Sequence, residues 1–350
     1  MDITAKGSAI RLGILALTAS VTATLNSCTS APSTQQSQSS ASSNGAVKID
    51  GSSTVFPITE AVAKEYKLNK NGNSQIQVAF SGTSAGFKKF CAGETDISNA
   101  SRPILTDEVE ACRQAGVRYI ELPVAYDALT VAVHPQNDWA KDITIAELKK
   151  IWEPAAQGKI TSWNQVRSSW PNKPLKLYGA GGESGTFDYF TEATVGKTRA
   201  SRTDYTASED DNVLVRGVGT DPNALGYFGY AYYEANQNRL KALAVNSGNG
   251  AVLPARQAVE NAQYQPLSRP LLIYVNAKYA QNKPEVRAFV EFYLKNANRL
   301  VNSVGYIPLP EEGYHIAFVH FERGKVGTVF AGEQKLNLTI GELLRQEAKF

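Results

Sequence analysis

The chain has 350 residues, 43% hydrophobic and 20% charged, with a formal net charge of +3, a length that favours two domains of ordinary size. Its longest basic clusters are pairs such as Lys88-Lys89 and Lys149-Lys150, so no basic stripe marks a nucleic-acid partner. Three histidines (His134, His315, His320) and three cysteines form no CxxC, HxxxH or HExxH spacing, which leaves a metal centre without support, and no cofactor is expected.

Lys6 and Arg11 precede an apolar run from Leu12 to Leu25 that ends in small side chains. That is the layout of an export signal, too short to span a bilayer, and residues 1–27 are read as a signal peptide. Leu25-Asn26-Ser27-Cys28 resembles the lipobox of bacterial lipoproteins, with Asn26 an unusual occupant. The resemblance implies cleavage before Cys28 and stable anchoring by acyl chains on it; a plain secretory signal is the other reading. Thr29 to Gly45 contains only Ala, Asn, Gln, Gly, Pro, Ser and Thr, a composition that cannot bury a core. Residues 28–45 are therefore expected to form a lipid-anchored flexible linker, averaging roughly 20 to 25 Å end to end. No later stretch has the length of a membrane span, so the rest is expected to be soluble in the periplasm or at the cell surface.

From Val47 onward short alternating apolar runs precede helical patterns, the alternation of an α/β protein. Val47-Lys48-Ile49 reads as a strand, Gly51 to Pro57 as a loop, and Ile58 to Tyr66 as a helix. Ile76 to Phe80 reads as a strand, Ser81 to Gly86 as a turn, and Phe87 to Cys91 as the start of a helix. Cys91 and Cys112 are expected to pair in an oxidising compartment, closing a loop worth about 3 kcal/mol in the chain-entropy model; two buried thiols are the alternative. Leu175 to Tyr178, Gly179 to Thr186 and Phe187 to Thr194 repeat the strand, loop and helix order. The apolar runs Leu122 to Val133 and Leu271 to Val275 are read as two passages of a hinge. One domain then comprises 46–126 plus 270–350 and the other 127–269, and the cleft between them is the default ligand site. Trp152, Trp163 and the tyrosines from Tyr227 to Tyr233 are read as packing residues.

The three loops share one chemistry. A helix start leaves backbone N–H groups unpaired beside a partial positive charge, glycine admits close approach, and Ser or Thr adds a hydroxyl donor. Any one such Ser or Thr could merely cap its helix; three in one chain favour an anion site. Sharper motifs fail. Gly179 to Ser184 lacks the last glycine of GxGxxG, and no complete GxxxxGK[ST] occurs in the chain. Gly182-Glu183-Ser184-Gly185-Thr186 misses GxSxG by its final residue. The acidic clusters Glu209-Asp210-Asp211 and Glu311-Glu312 are read as solvated faces.

Six segments together resemble the phosphate-binding receptors of bacterial phosphate ABC transporters: Asp50 to Pro57, Ser81 to Gly86, Asp96 to Pro103, Glu183 to Phe190, Ala207 to Val215 and Ala224 to Tyr233. The resemblance covers nearly everything after the linker. It implies two α/β domains joined by a two-stranded hinge, the periplasmic-binding-protein fold of the second type, and a monomer that is not an enzyme. It implies capture of inorganic phosphate and delivery to an inner-membrane ABC permease. It also implies ligand contacts from Ser53, Thr54, Val55, Thr83, Ser101, Ser184, Gly185 and Thr186.

Two departures stand out. The family's best-known members have an aspartate where this chain has Ser101, and an arginine where it has Ala180. Arg102 is the expected replacement cation, with an ordinary salt bridge as its other reading. Asp127, Glu183, Asp210 and Asp211 are candidate acceptors for the phosphate proton. The missing aspartate keeps sulfate, arsenate or molybdate open as ligands. A phosphoester hydrolase and a surface sensor or adhesin are further alternatives.

Overall fold

The computed structural model describes residues 45–69 and 75–350. The expected signal peptide, Cys28 and nearly all of the linker lie outside the described residues. In chain order come β1 (Val47–Gly51), α1 (Phe56–Asn69), β2 (Ile76–Val78), α2 (Thr83–Cys91), β3 (Ile97–Ala100), α3 (Thr106–Gln114), β4 (Tyr119–Ala128) and β5 (Thr130–Val133). They are followed by β6 (Asp142–Thr144), α4 (Ile145–Trp152), α5 (Trp163–Val166), β7 (Lys176–Ala180), α6 (Gly185–Val195), β8 (Thr206–Ser208), α7 (Asp211–Val218) and β9 (Ala224–Phe228). Next come α8 (Tyr230–Glu234), β10 (Lys241–Ala242), β11 (Ala244–Asn246), β12 (Ala251–Val252), α9 (Arg256–Glu260) and β13 (Ser268–Asn276). The helices α10 (Ala277–Asn282), α11 (Pro284–Ser303), α12 (Glu311–Arg323) and α13 (Ile340–Lys349) close the chain.

The strands make two five-stranded sheets, β2-β1-β3-β13-β4 and β10-β5-β9-β7-β8, and a small sheet β12-β11-β6. In the first, β1 runs parallel to β2 and β3, while β13 is antiparallel to both β3 and β4. In the second, β7 runs parallel to β8 and β9, and β5 is antiparallel to β9 and β10. All ten residues of β4 and all nine of β13 are buried, as strands covered on both faces must be. The apolar run Leu122 to Val133 is divided between the sheets: β4 stays in the first, Leu129 donates its N–H to the Leu267 carbonyl at 2.8 Å, and β5 enters the second.

Each strand of a parallel pair delivers its loop and next helix to the same sheet edge, which is where open α/β sheets place ligands. Helix α1 buries Ile58, Thr59, Val62, Ala63 and Tyr66, a helical stripe that docks it. Helix α2 begins at Thr83, four residues earlier than the hydrophobic spacing predicts, because Gly82 turns the chain at φ 94. Thr83 and Ser84 therefore occupy its first turn. The expected Cys91–Cys112 disulfide is present and ties α2 to α3. No helix among the described residues is long and apolar enough to cross a membrane.

Candidate anion site

Three loop-to-helix junctions meet. Thr54, before α1, and Thr186, in the first turn of α6, place their hydroxyl oxygens 3.0 Å apart. Thr83, opening α2, lies 3.3 Å from the Ser101 hydroxyl and accepts the Ser101 N–H at 3.2 Å. Gly185 joins the two pairs: a Cβ there would stand 2.5 Å from Thr83 Oγ1 and 2.8 Å from Ser101 Oγ, so a side chain would displace both hydroxyls. All four hydroxyl residues are essentially inaccessible to solvent. Buried hydroxyls in such number need partners, and an oxyanion supplies acceptors for several at once.

The expected neighbours are distributed as follows. Ser184 is the N-cap of α6, and its oxygen accepts the Thr186 N–H at 3.1 Å. Val55 is a core residue, and its backbone N–H points at Ser52 Oγ at 3.4 Å. Ser53 sits beside Thr54 and donates its hydroxyl to Asp211 Oδ2 at 2.7 Å. Tyr232, in the aromatic segment read as packing, donates to the Ser53 carbonyl at 2.8 Å and fixes that loop. Trp152, Phe190 and Tyr227 do form a buried aromatic cluster, with the last two rings stacked at 3.7 Å.

Arg102 departs from the expectation that it would face the ligand. Its Nε donates to Asp188 Oδ2 at 2.7 Å, its Nη1 to Glu108 at 2.7 Å and the Pro103 carbonyl at 3.0 Å, and its Nη2 to Glu108 at 2.7 Å and Ser84 at 2.8 Å. A guanidinium has five N–H donors, and all five are committed to protein. Burial works against this charge, but Glu108 and Asp188 prevail and hold its proton more tightly than usual.

The cation beside the hydroxyls is Arg269, at the head of β13. Its Nη2 donates to Thr186 Oγ1 at 2.9 Å and to Asp127 Oδ2 at 2.8 Å, while Nε reaches the same carboxylate oxygen at 3.1 Å. Nη1 makes a long 3.4 Å bond to the Gly185 carbonyl, which leaves it donor capacity for a ligand. Both Arg269 and Asp127 are fully buried.

The four candidate carboxylates separate by place. Glu183 is half-exposed and paired with Lys88 at 2.7 Å. Asp210 caps α7 by accepting the Asn212 N–H at 2.9 Å. Asp127 and Asp211 are buried at the site. Asp127 also accepts the Tyr230 N–H at 2.8 Å. Burial pushes the Asp211 carboxyl up to about 6, against the stabilising pull of the Ser53 hydroxyl and Arg269.

A family model described as a PBP superfamily domain matches residues 34–297. Protein SphX of Synechocystis sp. is 56% identical over 304 residues, 87% of this chain and 90% of its own length. The phosphate-binding protein PstS of Staphylococcus haemolyticus is 36% identical over 273 residues, 77% of this chain and 83% of its own. The structure of a Clostridium perfringens substrate-binding protein of the phosphate ABC transporter class, solved with bound phosphate, is similar at a TM-score of 0.64 and 27% identity, covering 76% of this chain and 100% of that one.

Proposed function

The chain belongs to the PBP superfamily, in the periplasmic-binding-protein fold of the second type, and from that premise we propose that it is a receptor that captures inorganic phosphate. The observation that carries the reading is the meeting of Thr54, Thr83, Ser101 and Thr186 around Gly185, with Arg269 donating into the cluster. Hydroxyl donors, the positive end of α6 and a buried guanidinium are together what a small, multiply charged oxyanion requires. The phosphate-binding name of the relative at 36% identity and the phosphate bound in the structure at 27% identity support the same ligand.

In this reading residues 46–126 plus 270–350 and residues 127–269 are two lobes that close on phosphate about β4 and β13, and the closed form delivers it to an ABC permease. Ser53, Thr54, Val55, Thr83, Ser101, Ser184, Gly185 and Thr186 line the site, and Arg269 takes the role expected of Arg102. The protein acts as a monomer in the periplasm or at the cell surface, held by lipid on Cys28. It binds without covalent turnover.

Calorimetric titration of ligand-free protein with phosphate, sulfate, arsenate and molybdate tests this. Phosphate is expected to saturate one site, with sulfate and molybdate far weaker. Tighter binding of sulfate or molybdate than of phosphate would reassign the receptor, and phosphate release from a generic phosphoester would replace binding by hydrolysis.

A further inference from the structure

The acidic run Glu209-Asp210-Asp211 is only partly solvated, and its first member is not among the residues gathered at the anion site. Glu209 Oε1 accepts the Glu183 N–H at 3.1 Å. Oε2 is closed off from water and has no hydrogen-bond partner among the described residues. A carboxylate has lone pairs to satisfy at both oxygens, so leaving one of them dry is costly while the group is charged and much less so once it is neutral.

What covers Oε2 comes from the first sheet's side of the molecule. Gly82, which turns the chain into α2, approaches so closely that a Cβ on it would stand 2.8 Å from Oε2 and would collide with the Glu183 carbonyl oxygen. A Cβ on Gly181 would collide with Oε1. The Ser84 N–H donates to the same Glu183 carbonyl at 2.9 Å, and Lys88 pairs with the Glu183 carboxylate at 2.7 Å. Glu209 therefore lies on the seam between residues 46–126 and residues 127–269, floored by the Gly181 loop of its own side and roofed by Gly82 of the other. The charged groups that face it are like-signed: Glu183, Asp211 and Asp188 all disfavour its ionisation. The cations beside these acids are committed elsewhere, Lys88 to Glu183, Arg102 to Glu108 and Asp188, and Arg199 to Asp188, and none pairs with Glu209 among the described residues. Tyr205, before β8, and Tyr227 of β9 also lie near it and are kept neutral by burial.

We propose that Glu209 makes lobe closure, and with it the capture of phosphate, proton-dependent: water solvates its carboxylate while the lobes are apart, and as Gly82 closes over Oε2 the group takes one proton from solvent. The proposal rests on the phosphate-receptor reading and adds a regulatory device to its closing motion. In the arrangement described, burial, with Glu183, Asp211 and Asp188 adding to it, pushes the Glu209 carboxyl up to about 7 from 4.5. With the lobes apart Gly82 is withdrawn, and the carboxyl returns toward its ordinary value. A group whose value is higher in the closed form binds its proton more tightly there. Its contribution to closure is therefore complete below about pH 4.5 and is lost as pH rises through about 7. Acid favours the closed, phosphate-holding form, and alkali favours release.

The test is calorimetric titration of wild type and Glu209→Gln with phosphate between about pH 5 and pH 8, each protein first checked by its melting transition at every pH. Glutamine keeps an acceptor for the Glu183 N–H and the size of the group while removing its ionisation. The titrations of phosphate itself and of Asp211 are common to both proteins, so the ratio of their affinities isolates Glu209. That ratio, wild type over variant, is expected to fall by roughly ten- to a hundredfold from pH 5 to pH 8. At about pH 6, titrations in two buffers of different ionisation enthalpy should show wild type taking up roughly one proton more per phosphate bound than the variant. Should Glu209→Gln lose the native melting transition, Glu209→Ala serves in the same comparison with the same expectation. A ratio constant within about threefold across the range, or equal proton uptake by the two proteins, overturns the proposal and leaves the receptor reading in place. Wild type that binds no phosphate at any of these pH values overturns the receptor reading and the proposal with it, a different result from binding with parallel profiles.

Discussion

Arg102 and Arg269 are both fully buried and both paired with buried carboxylates, yet their remaining donors differ. Arg102 has none left, so Arg102→Ala would leave buried Glu108 without its cation and Asp188 with Arg199 alone, and should destabilise the fold by about 3 to 5 kcal/mol in denaturant unfolding. Arg269→Ala also leaves buried Asp127 without its cation, but it removes charge from the hydroxyl cluster as well and should weaken phosphate binding by about 2 to 5 kcal/mol, more than Arg102→Ala does. Thr186→Val should weaken binding by about 1 to 3 kcal/mol, because a charged ligand loses one hydroxyl donor. Equal affinities in Arg269→Ala and wild type would remove Arg269 from the site. The hydroxyls were legible in the sequence because loop and residue type travel together. The cation was not. Adjacency of Arg102 to Ser101 says nothing of direction, and Ser101 turns to Thr83 while Arg102 turns to Asp188 and Glu108. Arg269 stands just before an apolar run that reads only as a strand, and its partner Asp127 is 142 residues away. The one local signal was a lone charge at the edge of that run.

At the scale of elements, strand and helix order followed from periodicity, whereas boundaries followed from turns: β2 ends at Val78 because Ser81 and Gly82 both donate to the Gly51 carbonyl and draw the chain away. Pairing across β4 and β13 also creates something no local pattern announces. Glu121 on β4 is buried against Tyr274 of β13, which donates to it at 2.6 Å, and against the Val329 N–H at 3.0 Å. Burial, with Glu347 nearby adding to it, pushes the Glu121 carboxyl up to about 8 from 4.5. Between those values the folded protein holds a proton that the unfolded chain has released, so this group's contribution to stability falls as pH rises through the window. Glu121→Gln keeps the shape and removes the ionisation. The difference in melting temperature, variant minus wild type, should therefore grow between pH 5 and about pH 8. Parallel profiles over that range would place the Glu121 carboxyl in the ordinary range.

At the scale of the molecule, the two five-stranded sheets are bridged by side-chain hydrogen bonds and by ion pairs. Ser53–Asp211, Thr54–Thr186, Arg102–Asp188 and Lys88–Glu183 each join a segment of the first sheet's side to one of the second's. Bridges of this kind are what a closing motion would form, and the two sheet crossings beside β4 and β13 are where it would bend. The proposed lobes therefore predict that phosphate lowers the radius of gyration of the ligand-free protein in solution scattering, and that sulfate at the same concentration does not. The overall architecture was legible early, since alternating strands and helices with two long apolar runs admit few topologies. The contacts between the two sheets were not, because they depend on side chains more than a hundred positions apart, such as Ser53 and Asp211. The most direct test of the central claim is the crystal structure of the protein grown with phosphate. The account predicts one tetrahedral anion in contact with Thr54, Thr83, Ser101, Thr186 and Arg269. An anion bound instead in the separate cavity lined by Ser84, Lys88 and Arg199, or a cluster around Gly185 that stays without one at saturating phosphate, would contradict it.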